Sequence, residues 1–159
     1  MLLEGACHCR AVCFSVPSRE PYPYMYCYCS ICRKTGGGGG YAINISADAE
    51  SLEVHGKEHL SIYQVTPEGG EPNPAKRHFC ARCGSALWVW DPRWPELLHP
   101  FASAIDTALP KAPERCHIML DFAPAWVPLA SGKGDPHFAE YPDQSIHDWH
   151  QSRGLLNED

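Results

Sequence analysis

Between Ala11 and Val16, large apolar side chains alternate with small or polar ones. Val12, Phe14 and Val16 are set against Ala11, Cys13 and Ser15, the period of a strand with one buried face, and Pro17 ends it. Further segments of β character, divided by turn residues, run from Tyr41 to Ile45, Leu60 to Val65, Lys76 to Phe79, Ala86 to Trp90 and His117 to Leu120. Fifteen prolines and thirteen glycines leave no room for long helices over most of the chain. One short helix is predicted near the end. Ser145 and Asp148 form an S-x-x-D cap, Ile146 and Trp149 share a face, and Gly154 supplies a stop, so the helix is expected to close onto a sheet. Thr66 to Ala75 has turn chemistry throughout and reads as an exposed loop, either a plain connector or a lid over a site. No internal repeat is found. The pattern predicts a single, mostly β domain over residues 1–159, made of short antiparallel strands with a short C-terminal helix.

At 159 residues the chain is long enough for one core that buries roughly 70% of its unfolded surface. Hydrophobic residues at 44% and charged residues at 20% exclude wholesale disorder. No apolar run approaches the roughly 18 residues that cross a bilayer. Glu4 stands where a secretory leader would carry positive charge, so a cytoplasmic protein that does not enter membranes is expected. Thirteen basic against nineteen acidic side chains leave a net charge of −6, and only Arg33-Lys34 and Lys76-Arg77 are adjacent. Nucleic acid is therefore not an expected partner, since its non-specific affinity comes from clustered cations that release counterions.

The nine cysteines change the picture most. Their number is odd and no export signal accompanies them, so short spacings point to metal ligands or catalytic thiols rather than bridges. Seven fall into three cassettes: Cys7-His8-Cys9, Cys27-Tyr28-Cys29-Ser30-Ile31-Cys32, and Cys80-Ala81-Arg82-Cys83 before Gly84. Residues i and i+2 of an extended chain face the same side, so C-x-C can present two sulfurs to one ion. C-x-x-C does so by turning, and Gly84 can take the positive φ that completes a tight knuckle. With Zn–S near 2.3 Å, a tetrahedral site needs sulfurs about 3.8 Å apart, a spacing that local pairs provide. Cys7, Cys9, Cys80 and Cys83 together make a closed four-thiolate zinc staple. The other readings of these pairs are redox dithiols or small buried residues, but no βαβ pattern surrounds Cys80.

Cys27, Cys29 and Cys32 offer three sulfurs without an obvious fourth, the arrangement of an open, catalytic zinc. The alternatives are a site closed from afar by Cys13, Cys116 or a histidine, or a trio without metal. Cys13 and Cys116 themselves read as core cysteines. Arg33 and Lys34 could hold a substrate carboxylate, and the bare amides of Gly36 to Gly40 could approach a ligand or simply form a flexible turn. The lysine precedes the glycines, so this is not a nucleotide-binding loop.

Gly5-Ala-Cys7-His-Cys9, Cys27-Tyr-Cys29-Ser-Ile-Cys32-Arg33-Lys34-Thr-Gly36 and Phe79-Cys80-Ala-Arg-Cys83-Gly84-Ser85-Ala-Leu87 resemble the glutathione-dependent formaldehyde-activating enzyme family, whose domain is shared with centromere protein V. His117-Ile118, Ala125-Trp126 and Ser145-Ile-His-Asp-Trp149-His extend the resemblance over nearly the whole chain. It implies a mostly β, tent-like, zinc-stapled domain with two zinc ions per chain. One would be structural at Cys7, Cys9, Cys80 and Cys83, and the other catalytic at Cys27, Cys29 and Cys32. Arg33, Lys34 and Gly36 would line the substrate. The implied activity is that of a carbon–sulfur lyase that joins glutathione and formaldehyde as S-hydroxymethylglutathione, and reverses the step. Tyr28 departs from the pattern, because the family generally has His there, and this bears on the substrate more than on the metal. The chemistry needs a proton donor or acceptor, and His55, His59, His78, His99 and His117 are all suitable. The competing reading is a non-catalytic, zinc-stapled module for a small thiol or a protein, with five Trp and seven Tyr as binding surface.

Overall fold

The computed structural model of the chain describes residues 1–36, 38–129 and 132–156. In chain order the strands are β1 (Leu2–Ala6), β2 (Cys13–Pro17), β3 (Tyr24–Cys27), β4 (Ala42–Asn44), β5 (Ala47–Asp48) and β6 (Glu53–His55). They continue as β7 (Leu60–Tyr63), β8 (Lys76–Cys80), β9 (Ala86–Trp90), β10 (Leu97–Pro100) and β11 (Arg115–Ile118). Helices α1 (Ser30–Gly36) and α2 (Ile146–Ser152) span seven residues each. The protein is mostly β, as its alternating pattern requires. It divides into two compact units, one of Met1–Pro21 with Asn44–Pro110, the other of Tyr22–Ile43 with the chain from Lys111.

The first unit holds the sheets β1-β2-β6 and β5-β10-β9-β8-β7, and their pairings are antiparallel. Leu3 faces Val16 and Gly5 faces Phe14 across β1 and β2. The predicted alternation in β2 is realised: Phe14 and Val16 are buried while Cys13 and Ser15 are half-covered. Phe14 meets Trp88 of β9 edge to face at 5.0 Å, and Leu3, Val12, Leu87 and Leu98 complete the core. Each such buried side chain contributes about 1.5–3 kcal/mol. β2 begins at Cys13 rather than Ala11 because the preceding residues turn: the Arg10 amide donates to the Cys7 carbonyl and the Cys7 amide to that of Val12, both at 2.9 Å. The loop from Thr66 to Ala75 connects β7 to β8 and carries its own hydrogen bonds, the Asn73 amide to Val65 O at 2.7 Å and the Ala75 amide to Asn73 Oδ1 at 2.9 Å.

The second unit is built on the sheet β11-β3-β4, in which β11 and β3 run parallel with His117 opposite Tyr26 and Ile118 opposite Cys27. β11 lies earlier than the predicted His117–Leu120 segment, since Met119 turns left-handed (φ 61°) and Leu120–Phe122 coil into a 3-10 turn. The predicted cap of α2 forms: the Ser145 hydroxyl accepts from the Asp148 amide at 3.0 Å, and Gly154 follows at φ 64°. The helix buries Trp149, whose ring meets that of Tyr22 at 6.1 Å just before β3. Helix α1 is not predicted by the apolar pattern, being one short stretch between the cysteines and a glycine run.

Candidate metal centres

The first unit gathers Cys7, Cys9, Cys80 and Cys83, with all four sulfurs within 4.8 Å of one another. The separations Cys7–Cys9, 3.6 Å, and Cys9–Cys80, 3.8 Å, match the sulfur edge of a tetrahedral thiolate site. Gly84 adopts φ 75°, with its amide donating to the Cys80 carbonyl at 2.8 Å, so the C-x-x-C knuckle closes as the glycine allows. The Val12 amide donates to Cys7 Sγ at 3.2 Å. Ser85 ties the two knuckles together: its hydroxyl accepts from the His8 amide at 3.1 Å and lies 3.2 Å from Cys83 Sγ. That hydroxyl pulls the Cys83 thiol down to about 5. Cys9, by contrast, is pushed up to about 11 beside its three sulfur neighbours, so of these two thiols Cys83 is the one drawn toward the thiolate form that ligates.

The second unit gathers Cys27, Cys29 and Cys32, again with their sulfurs within 4.8 Å of one another. Cys27 ends β3 and Cys32 lies in the first turn of α1, and both are buried. The Cys32 amide donates to Cys29 Sγ at 3.3 Å. Hydrogen bonds from the Cys27 and Cys32 thiols hold the Cys29 thiol well below the usual range. Among the described residues no further Cys, His, Asp or Glu joins either cluster. Cys116 is buried and Cys13 half-buried, with the Cys13 thiol 3.6 Å from the Arg10 carbonyl.

Arg33 and Lys34 occupy the last turn of α1, Arg33 half-buried and Lys34 exposed. Arg33 Nε is buried without a hydrogen-bond partner among the described residues. Gly36 ends the helix. Of the glycines after it, Gly37 lies outside the described residues, whereas Gly40 takes φ 94° and a Cβ there would stand 2.3 Å from Val127 Cγ2. A bare backbone is therefore required at Gly40.

Of the five histidines nominated from sequence, His55, His59, His78 and His99 belong to the first unit and His117 belongs with the trio in the second. Burial pushes His78 down to about 4, and it stacks on Trp88 at 5.0 Å. Burial also lowers His99. His117 is 1% exposed, its Nδ1 lies 2.8 Å from the Tyr28 hydroxyl, and its basicity is lowered by burial and by the neighbouring His137. Two residues that the sequence does not single out, Asp135 and His137, stand beside it. Asp135 Oδ2 stands 3.7 Å from His117 Nε2, and the His137 ring meets that of His117 edge-on at 4.9 Å. Tyr26 and Tyr41 complete the aromatic surround, their rings 5.0 Å apart. The spacing Tyr22-x-Tyr24-x-Tyr26-x-Tyr28 was the available signal, since period-two aromatics mark one face of a strand.

A mostly β chain with one four-sulfur and one three-sulfur cluster is a scaffold with two cysteine groups that could hold metal ions. The family model for glutathione-dependent formaldehyde-activating enzyme matches residues 2–120. A protein of Halomonas elongata named "Putative glutathione-dependent formaldehyde-activating enzyme" is 63% identical over 155 residues, covering 98% of both chains. A crystal structure of a Rhodobacter sphaeroides protein, a structural genomics target, superposes with a TM-score of 0.54 at 29% identity over 67% of this chain and 91% of that one. The chain belongs to the glutathione-dependent formaldehyde-activating enzyme family.

Proposed function

We propose that the protein is a zinc-dependent carbon–sulfur lyase that forms or cleaves the adduct of glutathione, or a similar thiol, with formaldehyde. The observation that carries this reading is the contrast between the clusters: four sulfurs suffice to close a site, whereas three leave a position for substrate. The family and the name of the Halomonas relative agree with it. Cys7, Cys9, Cys80 and Cys83 would hold a structural zinc, and Cys27, Cys29 and Cys32 a second one. Zinc at the trio, when bound, supplies the Lewis acidity that keeps a substrate thiol deprotonated at neutral pH. In the forward direction the substrate sulfur attacks the carbonyl carbon, a C–S bond forms, and the carbonyl oxygen gains the displaced electron pair and then a proton. Arg33 suits a substrate carboxylate, because its buried Nε has no hydrogen-bond partner among the described residues. Lys34 adds a second cation at the same helix end, and Gly36 leaves the backbone accessible there. Unbridged thiols of this kind belong in a reducing cytoplasm.

The test pairs zinc content with turnover. Wild type purified anaerobically is expected to carry about two zinc ions per chain and to accelerate adduct formation, followed by NMR exchange between free and adduct formaldehyde. Cys29→Ser is expected to carry about one and to lose at least a hundredfold in rate. Unchanged turnover at one zinc per chain would overturn the mechanism. Two zinc ions without turnover of any thiol would favour the non-catalytic binding module.

A further inference from the structure

Cys27 ends β3, Cys29 lies in the bend that leads into α1, and the single residue between them joins the two, so whatever fixes that residue bears on the placing of both sulfurs. Tyr28 is that residue in the trio, and it is 1% exposed. It is held at both ends by one strand: its amide donates to the Ile118 carbonyl at 3.1 Å, and its hydroxyl meets His117 Nδ1 at 2.8 Å. The rings of Tyr28 and His117 lie nearly parallel, 5.8 Å apart with 22° between planes. Behind His117 stands Asp135, with Oδ2 at 3.7 Å from Nε2. That is too long for a hydrogen bond, yet the carboxylate field favours the tautomer with its proton on Nε2. Nδ1 is then the acceptor and the Tyr28 hydroxyl the donor. Asp135 is itself fixed by the amide and Nε of Arg115, each at 2.9 Å, and by the Gly132 amide. His117, Ile118 and Arg115 all belong to β11, so the anchor is a rigid element rather than a loop.

We infer that Tyr28 is a positioning residue for the Cys27/Cys29/Cys32 centre, aimed by a Tyr28–His117–Asp135 chain that holds the two sulfurs of the C-x-C unit in ligating orientation. The inference rests on the reading of the trio as a metal site.

Tyr28→Phe removes one hydroxyl and keeps the ring. Zinc affinities of wild type and variant are measured by competition with a chromophoric chelator, and the four-sulfur cluster of the first unit serves as an internal reference. The expected result is two zinc ions in each protein, with the weaker constant reduced roughly tenfold in Tyr28→Phe and the tighter one unchanged. His117→Gln is expected to weaken the same constant. A merely structural hydroxyl would lower thermal stability without separating the two constants. Two zinc ions with an unchanged weaker constant in both variants would overturn the inference alone. One zinc ion in wild type would overturn the metal reading of the trio and the inference with it.

Discussion

Asp135 shows how a single carboxylate is made part of the frame. Three donors converge on it, and the Arg115 amide, followed by that of Gly132, draws its pKa from 3.8 down to about 2. A carboxylate with a folded pKa below its unfolded one adds stability above the unfolded value, and that contribution fades as pH falls through the folded value. Asp135→Asn is therefore expected to lose about 2 kcal/mol at pH 7, the scale of hydrogen bonds to a charged, partly buried group. The difference from wild type should narrow between roughly pH 4 and pH 2. Urea midpoints across that range check this, and a constant difference would show that the charge of Asp135 contributes nothing. None of this is legible in sequence. Asp135 sits between glycines, lysine and proline in a stretch without periodicity, and its partner Arg115 is 20 residues away.

Elements were legible where their determinants are local. The S-x-x-D cap and the glycine stop lie within one turn of α2, and the helix forms between them. Ser145→Ala is expected to cost about 1 kcal/mol, read as a lowered denaturation midpoint, because the Asp148 amide loses its acceptor. No change would mean that Trp149, buried and donating to Glu114 Oε1 at 3.0 Å, holds the helix without its cap. The cysteine cassettes are local in the same sense, since each places two or three sulfurs within six residues, and the sulfurs of each group lie within 4.8 Å of one another. Strands β1, β3, β5, β6 and β10 and helix α1 fall outside the segments that the pattern predicts. Pro21 and Pro23 mask the tyrosine alternation before β3, and the seven residues of α1 are too few for a helical period. The Tyr28–His117 contact spans 89 residues and depends on a parallel pairing that no local pattern encodes.

At the scale of the whole molecule, metal and charge are one question. Four thiolates with Zn²⁺ carry −2 and three carry −1, so filling both clusters moves the net charge from −6 to −9. An already acidic protein would become more so on filling, and a larger negative charge repels a polyanion. The same change appears as released protons. Their neighbours draw Cys29 and Cys83 toward the thiolate form, so these two of the seven clustered cysteines have fewer protons to give up on zinc binding than the rest. Zinc titration of chelator-stripped protein in a pH-stat is therefore expected to release between five and seven protons per chain. The four-sulfur cluster alone can release no more than four. A plateau at or below four would mean that the trio does not take up zinc. One above four would require its sulfurs to lose protons to the metal, as an open ligand set does when it becomes a centre for thiol chemistry.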